Sequence, residues 1–458
     1  MTTVLKAGGS SVADEAKIRR ILEQSQGLDD LIVLTVSAQG KTTDRIVKAI
    51  ESAKNREPVP EPEEIFQEFE NLGIDSGDAR ITGIRDSVYG TFEALCVQNP
   101  SKVKALENPG HTAFLHLCGE RLAALGVYVI SEAAGNKSYW ADLTSDFPLA
   151  VKGDYHASRI DLEESRKRSQ QLLMSVRNGI LILPGYGGLE FDRKGPNGIF
   201  RMKTLGRGGS DTAAFGYLYA FQGNRLLILT DVYGILDADV SMGKTVPLLD
   251  IEEAKDSADL GAKLPGSIAL EGLEKYYSDG GNPEVYIVHS QDFDGPKTRI
   301  VRETEETVPV KLVAGRSAVI YKFRGDIRGL QNVLDASGVD WTGLLKRNFG
   351  RIVVSQENAA YAERITSDYF RRAKRKNGNG VKTMTEDNLA FVGVVGSGMY
   401  DMPGVGARAS AALGKNGISY MYAMDPGDVS LGFIIGRNYL KQAIEVLHRE
   451  FLAPRAAA

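Results

Sequence analysis

Two glycine-flanked segments carry the residues best suited to chemistry. The first is Thr204-Leu205-Gly206-Arg207-Gly208-Gly209-Ser210-Asp211-Thr212-Ala213, where three glycines surround an arginine and a Ser-Asp pair opens an expected helix, Thr212 to Phe221. An arginine can hold a carboxylate through two parallel hydrogen bonds. The Gly-Gly backbone and Ser210 can donate to phosphoryl oxygens. Asp211 can accept from a substrate ammonium group, a lysine or a metal-bound water. Helix capping by Ser210 or Asp211 would need neither the glycines nor the arginine, so the pattern favours a site. The second segment is Lys6-Ala7-Gly8-Gly9-Ser10-Ser11, between a strand and a helix. Glycines there let backbone N–H groups approach phosphates at a helix N-terminus. A tight turn alone would explain the glycines. Lys6, a full positive charge at the strand end, adds weight to the phosphate reading.

Two weaker segments follow. Cys118-Gly119-Glu120-Arg121 is expected at a helix–loop junction, where Glu120 could pair with an ammonium group, although an isolated Glu is ordinarily a surface residue. Thr230-Asp231-Val232-Tyr233-Gly234 ends a strand, a place suited to a nucleotide-side loop, and a plain turn explains it as well. No GxxxxGK[ST] occurs, and no HRD and DFG pair, so Walker-type and protein kinases are excluded. The two cysteines, Cys96 and Cys118, form no CxxC, and the five histidines lack ligand spacing, so no protein-held metal site is expected.

These segments need a scaffold of strands ending at one edge. Thr3–Lys6 and Leu31–Val36 look like buried parallel strands, as do Tyr128–Ile130, Gly179–Leu183 and Leu226–Leu229. Helical stretches separate them, the first with Ile18, Ile21 and Leu22 on one face. Alternation of this kind implies an α/β sheet covered on both faces. Residues 51–80, with Pro-Val-Pro-Glu-Pro at 58–62 and many acids, interrupt the pattern and suggest an insertion: a lid-like helical hairpin or, the favoured reading, a solvated surface excursion. Charge rises again at 303–308. Beyond it, two units are expected to repeat strand, helix, strand, strand, helix, the first faintly, with Arg371–Asn388 as a mobile connector between them.

The chain has 458 residues, enough for two or three domains, with 43 % apolar and 25 % charged residues. A net charge of −4 argues against general nucleic-acid binding. No signal-like start and no uninterrupted apolar run of membrane-spanning length is visible, so no membrane association and a cytoplasmic location are expected.

Taken in order, the segments resemble the aspartate kinases of the amino-acid kinase superfamily. The family's KFGGTS is matched by Lys6–Ser11, its VSA and following Thr by Val36-Ser37-Ala38 and Thr43, and its GER by Gly119-Glu120-Arg121. GRGGSD is complete at Gly206–Asp211, TDVxG at 230–234 and GAK at Gly261-Ala262-Lys263, and VVGxGMxxxPGV runs from Val394 to Val405. The resemblance implies a three-layer αβα kinase domain with a mainly parallel sheet over residues 1–303, then two ferredoxin-like ACT (α+β) domains at 304–380 and 385–458. It implies transfer of the γ-phosphoryl group of ATP, as its Mg²⁺ complex, to the side-chain carboxylate of L-aspartate. Lys6 and Lys263 would then neutralise phosphoryl charge, while Gly8, Gly9 and Ser10 cradle phosphate. Ser37, Ala38, Thr43, Glu120, Arg207 and Ser210 would line the aspartate pocket, with Arg207 on the α-carboxylate and Glu120 near the ammonium. Asp211 would organise the catalytic lysine, and Thr230 and Asp231 would contact nucleotide. An amino-acid effector at the ACT domains and an even homo-oligomer, at least a dimer, are further implications.

The chain also departs from the family. Ala7 replaces a Phe, Leu236 stands near a usual aromatic, Asp239-Val240-Ser241 replaces Asp-Pro-Arg, and Leu264-Pro265-Gly266-Ser267 replaces Val-Leu-His-Pro. In the ACT region, Phe323–Gly329 is not the usual effector loop, and Asp425-Pro426-Gly427-Asp428 replaces a serine-rich turn. These changes motivate two other readings: a catalytically silent amino-acid sensor, and a kinase of another acidic small molecule. The intact Lys6, Asp211 and Lys263 weigh against the first, and the intact Glu120, Arg207, Ser210 and Asp211 against the second.

Overall fold

The architecture was obtained as a computed structural model describing residues 1–74, 79–143, 146–192, 199–206, 208–238, 243–305, 308–337, 339, 341–377, 381–399, 401–425 and 427–453. It divides into two compact units, Met1–Gly234 with Ala269–Arg299, and Ile235–Ile268 with Ile300–Ala458.

In the first unit, six strands pair in parallel in the order Glu284–His289, Arg225–Thr230, Thr2–Ala7, Leu31–Val36, Gly179–Pro184, Ser138–Trp140. Leu31–Val36 is buried at every position, so both faces must be covered. Side chains alternate between those faces. Leu5, Leu34 and Ile182 join the helices Glu15–Ser25, Thr42–Asn55 and Pro109–Ala133 in one core. Helix Gly209–Ala220 packs along the strands Thr2–Ala7, Leu31–Val36 and Arg225–Thr230, and Leu218 lies on the side of Val4. The result is helix, sheet, helix. The register aligns Ala7 with Val36 and Leu229, and Val36 with Pro184. Loops starting at Gly8, Ser37, Gly185 and Asp231 therefore leave from one edge.

Three sequence expectations fail here. Tyr128–Ile130 is not a strand, and Cys118–Arg121 is not at a helix–loop junction, because both lie inside the 25-residue helix Pro109–Ala133. That helix is apolar on nearly every side, and such a run carries no period that separates helix from strand. Among the described residues it is the one helix long and apolar enough to cross a membrane, and most of it is buried within the fold. Nor is the 51–80 segment a solvated excursion. Its short helices Pro62–Ile65 and Gln67–Glu70 bury Ile65, Phe66 and Phe69 in the main core, while residues 75–78 lie outside the described residues. The ring of Phe66 packs on Tyr89 and Phe92, with centroids 5.4 and 5.2 Å away.

The Pro109–Ala133 helix is tied by a buried ion pair to Asp142, two residues past the edge strand Ser138–Trp140. Arg121 donates from Nε to Asp142 Oδ1 at 2.8 Å and from Nη2 to Oδ2 at 2.5 Å. Removing the guanidinium takes from the buried Asp142 carboxylate its two-point, charge-neutralising partner. Arg121→Ala is expected to cost about 3–5 kcal/mol, read as a shift of the urea midpoint at unchanged m-value. A loss below about 1 kcal/mol would mean water reaches Asp142.

The second unit is built on a six-stranded antiparallel sheet, in the order Thr342–Leu345, Phe349–Ser355, Leu312–Arg324, Lys382–Val395, Ser430–Gly436, Tyr420–Met424. Each half runs strand, helix, strand, strand, helix. Leu330–Ala336 and Ala359–Asn377 are the helices of the first half, and Val405–Lys415 and Leu440–Phe451 those of the second. Each half has its own core. The expected mobile connector Arg371–Asn388 is instead the end of helix Ala359–Asn377 and the start of strand Lys382–Val395, with 378–380 outside the described residues. Its basic residues occupy the end of an amphipathic helix, and Lys382–Arg324 and Thr383–Phe323 pairing extends the sheet.

Candidate active site

The edge of the parallel sheet brings most of the expected site residues together. Lys6, at the end of Thr2–Ala7, forms an ion pair with Asp211 in the first turn of helix Gly209–Ala220, with Nζ 2.8 Å from Oδ1. Both side chains are mostly shielded from solvent, 13 % and 23 % exposed, which strengthens their attraction. The turn that delivers Asp211 depends on Gly206 and Gly208, at φ +78° and +71°, a left-handed conformation that side chains disfavour. The Gly208 carbonyl then accepts from the backbone N–H of Asp211 at 2.9 Å.

Gly9 is needed for a different reason. A Cβ there would stand 2.3 Å from the Ala38 carbonyl oxygen, and the Gly9 carbonyl accepts from the N–H of Gly40 at 3.1 Å. The Gly8–Ser11 loop and the Ser37–Gly40 loop thus touch through backbone, with Ser10 exposed and Ser37 partly buried. Thr43 lies half-buried in the first turn of helix Thr42–Asn55.

Glu120 approaches the same loop from helix Pro109–Ala133. Gly119 lets it do so, since a Cβ there would be 2.8 Å from Cβ of Ala38. The Glu120 side chain is buried and its Oε2 has no hydrogen-bond partner. Burial pushes its carboxyl up to about 8, with the backbone amides of Glu120 and Ala38 drawing it part of the way back. A buried polar atom without a partner is costly in a folded chain, and this oxygen can accept from a donor group brought to it.

Ser210 is buried beside Asp211. On the loop after strand Arg225–Thr230, the Thr230 hydroxyl donates to Asp231 Oδ1 at 3.3 Å, with Asp231 exposed. Tyr233 stacks on His289, with ring centroids 4.6 Å apart. Arg207 and the Asp239-Val240-Ser241 segment lie outside the described residues, as do Glu306, Thr307 and Pro426. Lys263 belongs to the second unit, exposed just past the helix Ile251–Leu260.

Comparison with known proteins places the chain in a family. The profile described as "Amino acid kinase family" matches residues 1–276, and one described as "ACT domain" matches residues 392–451. The chain belongs to the amino acid kinase family. It is a phosphotransferase. It is 24 % identical to an aspartokinase of Geobacillus stearothermophilus over 471 residues, covering 99 % of this chain and 98 % of the relative. It is also 24 % identical to an aspartate kinase of Stutzerimonas stutzeri, covering 98 % and 96 %. Among solved structures it resembles E. coli aspartokinase III in complex with aspartate and ADP, with TM-score 0.75, 20 % identity and coverage of 98 % and 99 %. The same enzyme in complex with lysine and aspartate gives TM-score 0.65 at 21 % identity over the same shares. At such identities the structural likeness is one of fold.

Two residues beside these candidate positions escaped the sequence reading. Gly185 follows the strand Gly179–Pro184, and a Cβ there would stand 2.9 Å from the Val36 carbonyl oxygen and 3.0 Å from Ser210 Oγ. The signal was available: Gly185-Tyr186-Gly187-Gly188 is a third glycine-rich strand end. Glu68, from the 51–80 segment, accepts from the Lys41 N–H at 3.2 Å and the Thr42 hydroxyl at 3.1 Å, and pairs with Arg45. It thereby holds the N-terminus of the helix that carries Thr43. Nothing in the sequence signals that pairing.

Proposed function

We propose that this phosphotransferase is an aspartate kinase, moving the γ-phosphoryl group of ATP to the side-chain carboxylate of L-aspartate to give L-4-aspartyl phosphate and ADP. The observation that carries the reading is Glu120: a buried carboxylate with a free oxygen, at the sheet edge that also holds the Lys6–Asp211 pair. A buried acid of this kind suits an amino-acid ammonium. The acceptor is already an anion, so the chemistry requires positioning and charge neutralisation rather than a base. Lys6 and Lys263 supply positive charge to the phosphoryl groups, and Asp211 fixes Lys6. Gly8, Gly9 and Ser10 cradle phosphate, and Thr230 and Asp231 face the nucleotide. Ser37, Ala38, Thr43, Arg207 and Ser210 complete the aspartate pocket.

Among the described residues no group of three or more His, Cys, Asp or Glu is arranged to hold a metal ion. Mg²⁺ would be carried on the nucleotide phosphates, where it would supply charge neutralisation. We extend the proposal to the domain boundaries 1–303, 304–380 and 385–458, to a cytoplasmic homodimer or higher even oligomer, and to an amino-acid effector at the ACT region. The product would enter aspartate-family amino-acid biosynthesis.

The test is ADP release from MgATP with L-aspartate, beside L-glutamate, N-acetyl-L-glutamate and no acceptor, with Asp211→Ala as control. Turnover with aspartate alone, abolished in the control, is expected. Turnover with a different acid would replace the substrate. No turnover with any acceptor by a folded chain would favour the silent sensor.

A further inference from the structure

The helix Ile251–Leu260 precedes Lys263 by three residues and is clamped, within the second unit, by two buried carboxylates. Glu253 is fully buried. Its Oε2 accepts from Lys311 Nζ at 2.8 Å and, closing a capping box, from the Asp250 N–H at 3.0 Å, while Oε1 accepts from the Ser397 N–H at 2.9 Å. Asp256, one turn on and 3 % exposed, accepts from the Val429 N–H at 2.9 Å. Ser397 and Val429 flank adjacent strands of the C-terminal module, Lys382–Val395 and Ser430–Gly436. The helix ends at Gly261, φ +105°, where a Cβ would stand 2.6 Å from Cβ of Arg316 on strand Leu312–Arg324. Ala262 then donates its N–H to the Ser257 carbonyl at 2.8 Å.

The backbone just ahead of Lys263 is therefore set by the helix, and the helix by the two module loops. Val429, which donates to Asp256, directly follows the Asp425–Asp428 stretch in which the sequence departs from its family. A Cβ on Gly427 would fall 1.7 Å from Asp256 Oδ1, so only glycine lets that carboxylate keep its place.

We propose that Asp256, seated against Gly427 and holding the Val429 N–H, is a positioning residue for nucleotide binding, acting through Lys263. This rests on the nucleotide role proposed for Lys263. The 427–429 loop would act on Lys263 through the helix Ile251–Leu260, which it contacts at Asp256.

The test uses the full chain and four variants: Asp256→Ala, Asp256→Asn, Gly427→Ala and Lys263→Ala, each checked by thermal melting. KM for MgATP, KM for aspartate and kcat are measured. Asp256→Ala and Gly427→Ala, which reach the same contact from opposite sides, are expected to raise KM for MgATP roughly tenfold while kcat and KM for aspartate stay within about twofold. Asp256→Asn keeps an accepting oxygen and is expected to stay near wild type. If Asp256→Ala does not fold, Gly427→Ala carries the test. An unchanged KM for MgATP in the Gly427 and Asp256 variants, with Lys263→Ala raising it, overturns the clamp alone. An unchanged KM in Lys263→Ala overturns the nucleotide role and the clamp together. Equal loss in Asn and Ala, or equal movement of all three constants, would show a structural contact only.

Discussion

Lys6→Met is expected to lower kcat by roughly 10³-fold without unfolding the protein, because in the proposed function it removes the positive charge that neutralises the phosphoryl group. Asp211→Asn should cost less, on the order of 10²-fold, since it keeps the side chain's shape and loses only the charge that holds Lys6 at 2.8 Å. The double variant decides between roles. If Asp211 acts through Lys6, the double variant is no slower than Lys6→Met, as residues working as a unit are non-additive. Multiplying losses would mean that Asp211 touches the reacting groups independently, for instance through the metal-bound nucleotide. The shape of the pH–rate profile should survive in Asp211→Asn, because a carboxylate acceptor needs no proton removed.

Much of this site was legible because its parts are short and chemically odd. Gly206, Gly208 and Gly209 around an arginine, and Gly8-Gly9 after a lysine, have few purely structural explanations, and the strands that carry them are continuous apolar runs. Glu120 was visible only as a weak candidate and a motif match. Its helix is apolar on almost every side, so periodicity could neither place it mid-helix nor show that it is buried. Glu68 was not legible at all, since its partners Lys41, Thr42 and Arg45 are more than twenty residues away and the intervening prolines and acids read as solvent-facing. The clamp on helix Ile251–Leu260 was hidden in the same way. Asp250 and Glu253 announce a capping box, but the contacts to Ser397 and Val429 join residues 144 and 173 positions apart. Local pattern reports on faces and caps; it carries no information about which distant backbone N–H a buried carboxylate will find.

Glu120→Gln is expected to produce opposite effects on stability and on binding. The Glu120 carboxyl is raised from 4.5 to about 8 by burial, so between those values the folded chain holds a proton that the unfolded chain releases. Stability therefore falls as pH rises through that window, and the variant, which never ionises, should be more stable than wild type at pH 8 by a few kcal/mol and nearly equal to it below pH 4.5. Urea midpoints at the two pH values measure this. Binding runs the other way. An ammonium group favours the ionised carboxylate, so kcat/KM for aspartate in the wild type should climb up to tenfold per pH unit and level off near 8. In Glu120→Gln that climb should flatten, with KM for aspartate raised by about 10²-fold and KM for MgATP unchanged. A variant that is more stable at pH 8 and blind to aspartate would show a carboxylate ionised against its surroundings for the sake of a ligand. A variant less stable at every pH, with its aspartate affinity and pH dependence intact, would make Glu120 a packing residue and move the ammonium site elsewhere along the sheet edge.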